Sequence, residues 1–493
     1  MKAHMTLKAV ALVVFATSAL VGEEPDTLRL SLQEAVVMAL ERNPAFAIQR
    51  LRPSIMEATL AEQRAAFEPN LTASVSRDKS HTQRFLGARP EPFEMTSQRT
   101  QYGAGVTQVL PTGTILAIDA AMSGSTSSIY LPQYSGNVGV TVTQPLLRGF
   151  GLGANLIGVR SAQIDLDISR YELQAMAERL VQDVEASYWG LYLAEQELAI
   201  QEQSLQLALQ QLQESQERVA VGKLAELELA SVRAEVARRK GAVIDAQTRY
   251  EQARIDLIYL LNPGPGVTWS TTPALLDHPT IMPDSLGPIQ AHEELAMRYR
   301  PDLAQARLSL RRGQLQVAYT RNGLLPRLDV FVTFGRTSYA RTFKEAAPDI
   351  ESPFYSVNAG VNFQFPLIDA KARAQVGKAI KSREQLRLAL QNMERLVQRD
   401  VRVAYADVVR TRQQIEASRE ARILQEKNLE AEMEKFRVGR STNLLVLQVQ
   451  RDLTSSRLNE VRAAVDYLKA LTALHVMEGT LLVRRAIQLP DEP

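Results

Sequence analysis

Leu191, Leu198, Leu205, Leu212 and Val219 recur at a strict interval of seven, with small or polar residues between them. Such a period keeps one stripe facing a partner only if the helix supercoils left-handedly, so Gln182–Val219 predicts a coiled coil. The seam returns 217 residues later as Val408, Ile415, Leu429 and Phe436, with Arg422 the one polar intruder. Each seam runs into a matching turn, Val221-Gly222-Lys223 and Val438-Gly439-Arg440. Helical patterning extends from about 154 to 261, broken at Gly222, and at 1.5 Å per residue the first arm reaches roughly 100 Å. Helices so far beyond the usual 8 to 20 residues have no way to bury their seams on a small core.

The rest of the chain is duplicated around these hairpins, and such internal symmetry outranks any local motif. Ser31 and Glu34 form a capping-box pattern, and the helix that follows is broken at Asn43-Pro44, where proline removes a donor and clashes with the preceding turn. Arg300-Pro301 repeats that break. From Pro69 the period falls to two: Leu71, Ala73 and Val75 alternate with polar residues, as do Val138, Val140 and Val142 before Gln144-Pro145. Two further candidate strands, 101–110 and 115–122, flank the turn Pro111-Thr112-Gly113-Thr114. The second repeat has strands at Leu328–Phe334 and Val357–Phe365, with Val361, Phe363 and Phe365 on one face. The polar segments 79–100 and 123–135 read as loops. The boundaries are a signal peptide at 1–22, a first repeat at 23–261 (strands about 70–145, hairpin about 154–261), a Pro/Gly-rich linker at 262–288, a second repeat at 289–478 (strands about 328–365, hairpin about 371–476) and a tail at 479–493.

Lys2, Lys8 and the short apolar run Ala9–Val21 have the pattern of an export signal cleaved at about 19 to 22, and the run is too short to span a bilayer. The mature chain contains no apolar run of about twenty residues, so no spanning helix is expected. There are 0 cysteines, which excludes disulfides, thiolate metal sites and an N-terminal lipid anchor. A net charge of +2 in 493 residues leaves no basic surface for nucleic acid, and Arg233, Arg238, Arg239 and Lys240 are interspersed with acids as on a solvated coiled-coil flank.

Ten-residue strands, apolar on one face and small or polar on the other, in an exported chain fit a transmembrane β-barrel. Four to six strands are too few to close one, and open edges in hydrocarbon leave backbone groups unpaired, so several copies must share a barrel. The expected fold class is an α+β membrane protein: an internally duplicated chain that forms, as a trimer, an antiparallel β-barrel continuous with a coiled-coil α-helical barrel. Three copies give about twelve strands, or about eighteen if the hairpin at 101–122 also inserts. The alternative is an exported coiled-coil scaffold or surface-interaction protein with a soluble β cap.

The duplicated plan, the strand exit Gln144-Pro145-Leu146-Leu147-Arg148-Gly149, the paired Val-Gly turns and the two helix breaks together resemble the TolC-like outer-membrane efflux protein family over about residues 28–478. The resemblance implies a homotrimeric duct that spans the outer membrane and periplasm, with the linker and tail in an equatorial band. Its partners would be outer-membrane lipid, a periplasmic adaptor (membrane fusion) protein and an inner-membrane transporter of the RND, ABC or MFS type. The gate and adaptor-docking tips would lie at Val221, Gly222, Lys223, Glu226, Glu228, Val438, Gly439, Arg440, Asn443, Leu445 and Gln448, and the lipid face at Val138, Val140, Val142, Val361, Phe363 and Phe365. The family's constriction aspartates correspond here to Leu445 and Gln448, so an aspartate ring is not expected. Glu226 and Glu228 read as solvated helix-start glutamates, with a lumenal acidic ring as the alternative.

Other constellations lack their context. Gly149-Phe150-Gly151-Leu152-Gly153-Ala154 fits G-x-G-x-x-A, but an alternating strand before it and a hundred helical residues after it exclude a dinucleotide-binding βαβ unit. His4, His81, His278, His292 and His475 are not at metal-ligand spacing. Tyr188, Trp189 and Tyr192 read as seam packing, with Tyr405 the counterpart of Tyr188. Tyr102, Tyr130, Tyr134, Phe354 and Tyr355 flank the strands as candidate membrane-interface residues. No grouping of nucleophile, base and acid is legible, so no enzymatic activity and no cofactor are expected.

Overall fold

The computed structural model describes residues 27–84, 92–129, 131–222, 225–264, 269–281 and 286–488. The expected signal peptide, Tyr130 and Lys223 lie outside the described residues. In chain order the elements are β1 (Thr27–Leu30), α1 (Leu32–Arg42), α2 (Pro44–Ala65), β2 (Asn70–Arg84), β3 (Phe93–Val109), β4 (Ile115–Ser127), β5 (Gln133–Pro145), α3 (Leu152–Asn155), α4 (Ile157–Ala220) and α5 (Glu226–Leu261). There follow β6 (Thr272–Leu275), α6 (Ile289–Tyr299), α7 (Pro301–Asn322), β7 (Arg327–Ala340), β8 (Tyr355–Gln364), α8 (Ala370–Arg437), α9 (Asn443–Glu478) and α10 (Leu481–Arg484).

The chain divides into two compact units. One comprises residues up to Asn43 with Val184–Thr280 and Glu420–Val465; the other comprises Pro44–Asp183, Ile281–Arg419 and the residues from Asp466.

In the second unit, β2-β3-β4-β5-β7-β8 form one antiparallel sheet, so the hairpin at 101–122 belongs to it. The strands outrun their sequence signal. β2 continues to Arg84, β3 begins at Phe93, β4 ends at Ser127 and β5 begins at Gln133, so much of 79–100 and 123–135 is strand, contrary to the loop reading. Apart from Phe93 and Met95 the side chains there are polar or glycine on one face and mostly polar on the other, and without a continuous apolar face a strand shows no alternation. Phe365 lies one residue past β8.

The same unit holds an apolar core of Val397, Val401, Val408, Tyr467 and Leu474 around Ala296. A smaller cluster of Leu60, Ala162 and Leu166 packs α2 on α4. Pro301 opens α7 at a position whose amide has no helical partner to lose.

In the first unit, the capping box is present: the Glu34 amide donates to Ser31 Oγ at 3.3 Å and the Ser31 amide to Glu34 Oε2 at 2.9 Å. β1 pairs in parallel with β6, so the Pro/Gly-rich linker contains a strand, which the sequence did not announce. Tyr188, fully buried, donates from its hydroxyl to the Leu30 carbonyl at 3.1 Å, and the Asp277 amide donates back to it. It therefore ties the end of β1 to the linker residue Asp277 beyond β6 rather than filling a seam. Its counterpart Tyr405, in the other unit, donates to the Gly287 carbonyl at 3.3 Å.

Along α4 in the first unit, Leu191 is buried, but Leu198, Leu205, Leu212 and Val219 are only half-buried. The buried neighbours are Ala194, Ser204, Ala208 and Ser215. Small residues let helices approach closely, so they occupy the tightest contacts and leave the leucines on the flank.

Candidate functional site

The sheet has two chemically distinct faces. The ladder registers Leu71, Val106, Ile118, Val140, Phe334 and Val357 across all six strands. Two residues nearer the helices, the row is Leu116, Val142, Val332 and Ala359; beyond it come Val330 with Val361, then Leu328 with Phe363. These side chains are largely exposed: Leu71 by 73 %, Val361 by 65 % and Phe363 by 62 %. Val138, Val140, Val142, Val361 and Phe363 thus share one apolar face, as the alternation predicted. The opposite face carries Asn70, Thr107, Ala117, Thr141, Thr333 and Asn358 in one row and Thr72, Gly105, Asp119, Gly139, Gly335 and Ser356 in the next. Hydroxyl contacts tie strands on this side, Thr141 to Thr333 and Ser123 to Ser135, each at 3.0 Å.

The apolar band drifts across the sheet. Phe363, its last residue on β8 toward the helices, lies six residues from Val357, the residue registered with Leu71 on β2. About 20 Å of drift over about 24 Å of sheet width corresponds to strands tilted by roughly 40°, the tilt of transmembrane barrels.

Aromatic residues close the band at the loop end. Phe343, in the β7–β8 connection, stands edge-on to Tyr102 and Tyr134, with centroids 5.3 and 5.5 Å away. The connection lies over Gly124 and Gly136, where a Cβ would meet the Phe343 ring and the Ala346 carbonyl. Tyr355 is exposed on the same face, whereas Phe354 stacks edge-on with Tyr339 of the polar side.

At the helix end, the turn between β3 and β4 is bonded to the exit of β5. The Gly151 amide donates to the Thr112 carbonyl at 3.0 Å, and Thr114 Oγ1 to Gln144 Oε1 at 2.5 Å. Asn155 Nδ2 donates to the carbonyls of Gly149 and Gly151 at 2.8 and 3.0 Å. Gly149 and Gly151 both have φ 85°, so the G-x-G-x-x-A run is a strand-to-helix joint on an antiparallel strand, with no βαβ unit. A cavity of about 270 Å³ opens beside it, and Asp329, buried on its wall, is held by Arg327 Nε at 2.6 Å.

The hairpin tips belong to the first unit. Gly222 and Gly439 have φ 74° and 73°, the left-handed conformation that lets a helix end without a Cβ penalty. The Gly439 and Arg440 amides donate to the Phe436 and Lys435 carbonyls, and the Gly222 amide donates to that of Val219. Val221, Glu226, Glu228, Val438, Arg440, Leu445 and Gln448 are exposed, with Leu227 and Leu444 beside them. Asn443, at the start of α9 beside the turn, differs from these in exposure. It is buried and accepts from Gln211 Nε2 at 3.0 Å, so it joins the two hairpins. Glu226 and Glu228 occupy the first turn of α5, where a negative charge complements the helix dipole.

Polar side chains whose partners the sequence did not show bind these hairpins together. Buried Glu235 accepts from Arg239 at 3.0 Å and from Arg451 at 3.1 Å, so Arg239, expected on a solvated flank, is instead buried against its ion-pair partner. Arg422, the polar intruder, pairs with Glu426 at 2.8 Å and Glu460 at 2.5 Å. Arg218 stacks on Phe436 at 4.9 Å. Hydrogen bonds from Ser441 and Lys435 hold the Glu432 carboxyl below the usual range. Among the described residues no cluster of His, Cys, Asp or Glu is suited to a metal, and no helix is long and apolar enough to cross a membrane.

The profile of the family described as outer membrane efflux protein matches residues 35–263 and 294–480. The pyoverdine export outer membrane protein OpmQ of Pseudomonas putida is 26 % identical over 335 residues, 65 % of this chain and 67 % of the relative. The outer membrane efflux protein BepC of Brucella suis is 23 % identical over 341 residues, 69 % and 71 % of the two chains. Among solved structures, the outer-membrane channel OprN superposes with a TM-score of 0.69 at 17 % identity, covering 91 % of this chain and 90 % of its own. The outer membrane protein VceC of Vibrio cholerae gives 0.68 at 15 % identity, covering 91 % and 96 %. The chain belongs to the outer membrane efflux protein family and is an outer-membrane efflux channel.

Proposed function

We propose that three copies of this chain form one continuous duct, a β-barrel in the outer membrane joined to a helical barrel in the periplasm. The duct takes cargo from a periplasmic adaptor fed by an inner-membrane transporter of the RND, ABC or MFS type, and it carries out no chemistry. The observation that carries this reading is the sheet: apolar on one face, polar on the other and, among the described residues, without a strand partner at the outer edges of β2 and β8. An open edge in hydrocarbon leaves amides and carbonyls without partners, and other copies of the same sheet supply them. A soluble β cap would have to leave the rows through Leu71 and Phe363 in water, which disfavours the scaffold alternative. At the tips, exposed Val221, Leu227, Val438, Leu444 and Leu445 offer an apolar surface suited to an adaptor, and left-handed glycines permit the hairpins to slide between two packed arrangements.

Protein extracted from outer membranes and added to planar bilayers is expected to give discrete current steps. A preparation that remains non-conducting after correct insertion contradicts the duct. A crosslinker placed at Val221 or Leu445 is expected to capture an adaptor, and loss of efflux with no such capture points to a different docking surface.

A further inference from the structure

The two repeats contribute unequally to the sheet: β2 to β5 come from the first and only β7 and β8 from the second. Resting on the trimeric-duct reading, we infer that all three hairpins of each copy insert. The barrel then has eighteen strands and a bore wide enough for bulky hydrophilic cargo, of polypeptide cross-section, and the size limit lies elsewhere in the duct.

The hairpin β3–β4 carries the signs of an inserted one. Its residues Val106 and Ile118 continue the apolar row of β2, β5 and β7 without a gap, and Leu116 carries the next row from β5 onto β4, where it ends against Gln108 of β3. Its turn, at Thr112, is bonded to Gly151 at the strand-to-helix joint, so it sits at the depth where β5 leaves the sheet. Leaving it outside the membrane would break the β2–β3 and β4–β5 ladders and strip the facing edges of β2 and β5 of their partners in hydrocarbon. Closure also works. β2 leaves a helix, β8 enters one, and the strands between alternate, so β8 of one copy meets β2 of the next antiparallel. Such a head-to-tail contact closes a ring when the rotation permits.

Strand number sets the bore. At a tilt near 40° and a spacing of about 4.8 Å, eighteen strands give a backbone diameter of roughly 36 Å, against roughly 24 Å for twelve. Between Phe331 at the helix end of this face and Gln101 and Tyr339 at its loop end, the polar rows intrude little. Ser74, Gly103, Ala121, Asn137 and Thr337 form a third row beside the two already described, and no side chain in these rows is larger than Asn or Asp.

The natural absence of cysteine makes the test clean. Single substitutions Ile118→Cys and Ala121→Cys on β4, with controls Val140→Cys and Thr141→Cys on β5, are treated in intact outer membranes with membrane-impermeant maleimides, one small and one coupled to a polymer about 20 Å across, comparable to a narrow folded polypeptide. Ala121→Cys and Thr141→Cys are expected to react with both reagents, and Ile118→Cys and Val140→Cys at least about tenfold more slowly, being shielded by lipid. If Ile118→Cys reacts as fast as Ala121→Cys while Val140→Cys stays protected, the hairpin lies outside the membrane and the eighteen-strand barrel is wrong, though the duct stands. Exclusion of the bulky reagent alone from Ala121→Cys and Thr141→Cys overturns the wide bore. Free reaction of Val140→Cys overturns the outer-membrane duct itself.

Discussion

The two repeats agree in their helices and disagree in their strands. α1 and α6 each have 11 residues, α2 and α7 each 22, α5 and α9 each 36, and α4 and α8 have 64 and 68. The six-stranded sheet takes four strands from the first repeat and two from the second. The difference follows from what each part must satisfy. Paired hairpins bonded through Glu235, Arg451, Gln211 and Asn443 must match in length, because a longer arm would shift every contact below it. A sheet accepts an extra hairpin more cheaply. Two strands added between existing ones keep every backbone group paired and leave the edges β2 and β8 antiparallel.

The largest expected effect comes from putting charge on the apolar face in both repeats at once. Val140→Arg with Phe363→Arg is expected to cost about 2 to 4 kcal/mol at each site and to abolish membrane assembly, measured as the fraction of folded oligomer in outer membranes. Thr141→Arg, on the polar face, is expected to assemble. Normal assembly of the double variant would mean that the two repeats do not share a lipid face.

Next in size is a difference inside matched helices. Glu178 and its counterpart Arg395 lie 217 residues apart, the first buried and the second exposed. Burial pushes the Glu178 carboxyl up to about 8, outweighing a hydrogen bond from Gln174, with Asp302 adding to the rise and Arg300 opposing it. The folded form therefore holds a proton that the unfolded form loses above about 4.5, so this group's contribution to stability falls as pH rises from about 4.5 to about 8. Glu178→Gln is expected to flatten that slope, by an amount on the order of a few kcal/mol across the window, read from thermal unfolding between pH 5 and 8. An unchanged slope would show that Glu178 is already ionised in the folded protein. Arg395→Gln is expected to leave the slope as it is.

A smaller effect separates the unmatched turn from the joint beside it. Gly113 has φ 92°, and a Cβ there meets the Gly149 carbonyl, whereas Gly149 and Gly151 open onto free space. Gly113→Ala is expected to cost about 2 to 3 kcal/mol and Gly149→Ala about 1 kcal/mol, compared by denaturant midpoint. Equal losses would mean that the turn does not bear on the joint. Smallest are the matched tips: Gly222→Ala and Gly439→Ala are each expected to cost about 1 kcal/mol, and to cost the same, because neither Cβ meets a neighbour.

Much of this was legible in the residues. Long sevenfold seams, paired Val-Gly turns and two Pro breaks are local signals repeated at a fixed offset, and they located the helices to within a few residues. The strands were legible only where Val140 or Phe363 alternates with polar neighbours. Beyond that band, at Lys79 or Ser125, both faces are wet and the pattern disappears. Membership of β3 and β4 in the sheet rests on long-range register, which no local period encodes. The burial of Asn443 was hidden for the same reason, since its partner Gln211 is 232 residues away in sequence.

The central claim is that this sheet is one third of a closed wall. Single cysteines on β2 and β8, for example Ser74→Cys combined with a scan of Ser356, Asn358 and Asn362, allow adjacent copies to be oxidised to each other in outer membranes. The account predicts that one pairing yields covalent dimers and trimers and nothing larger, because the third link closes the ring. A ladder that continues past three, or the absence of any β2–β8 crosslink, would contradict it.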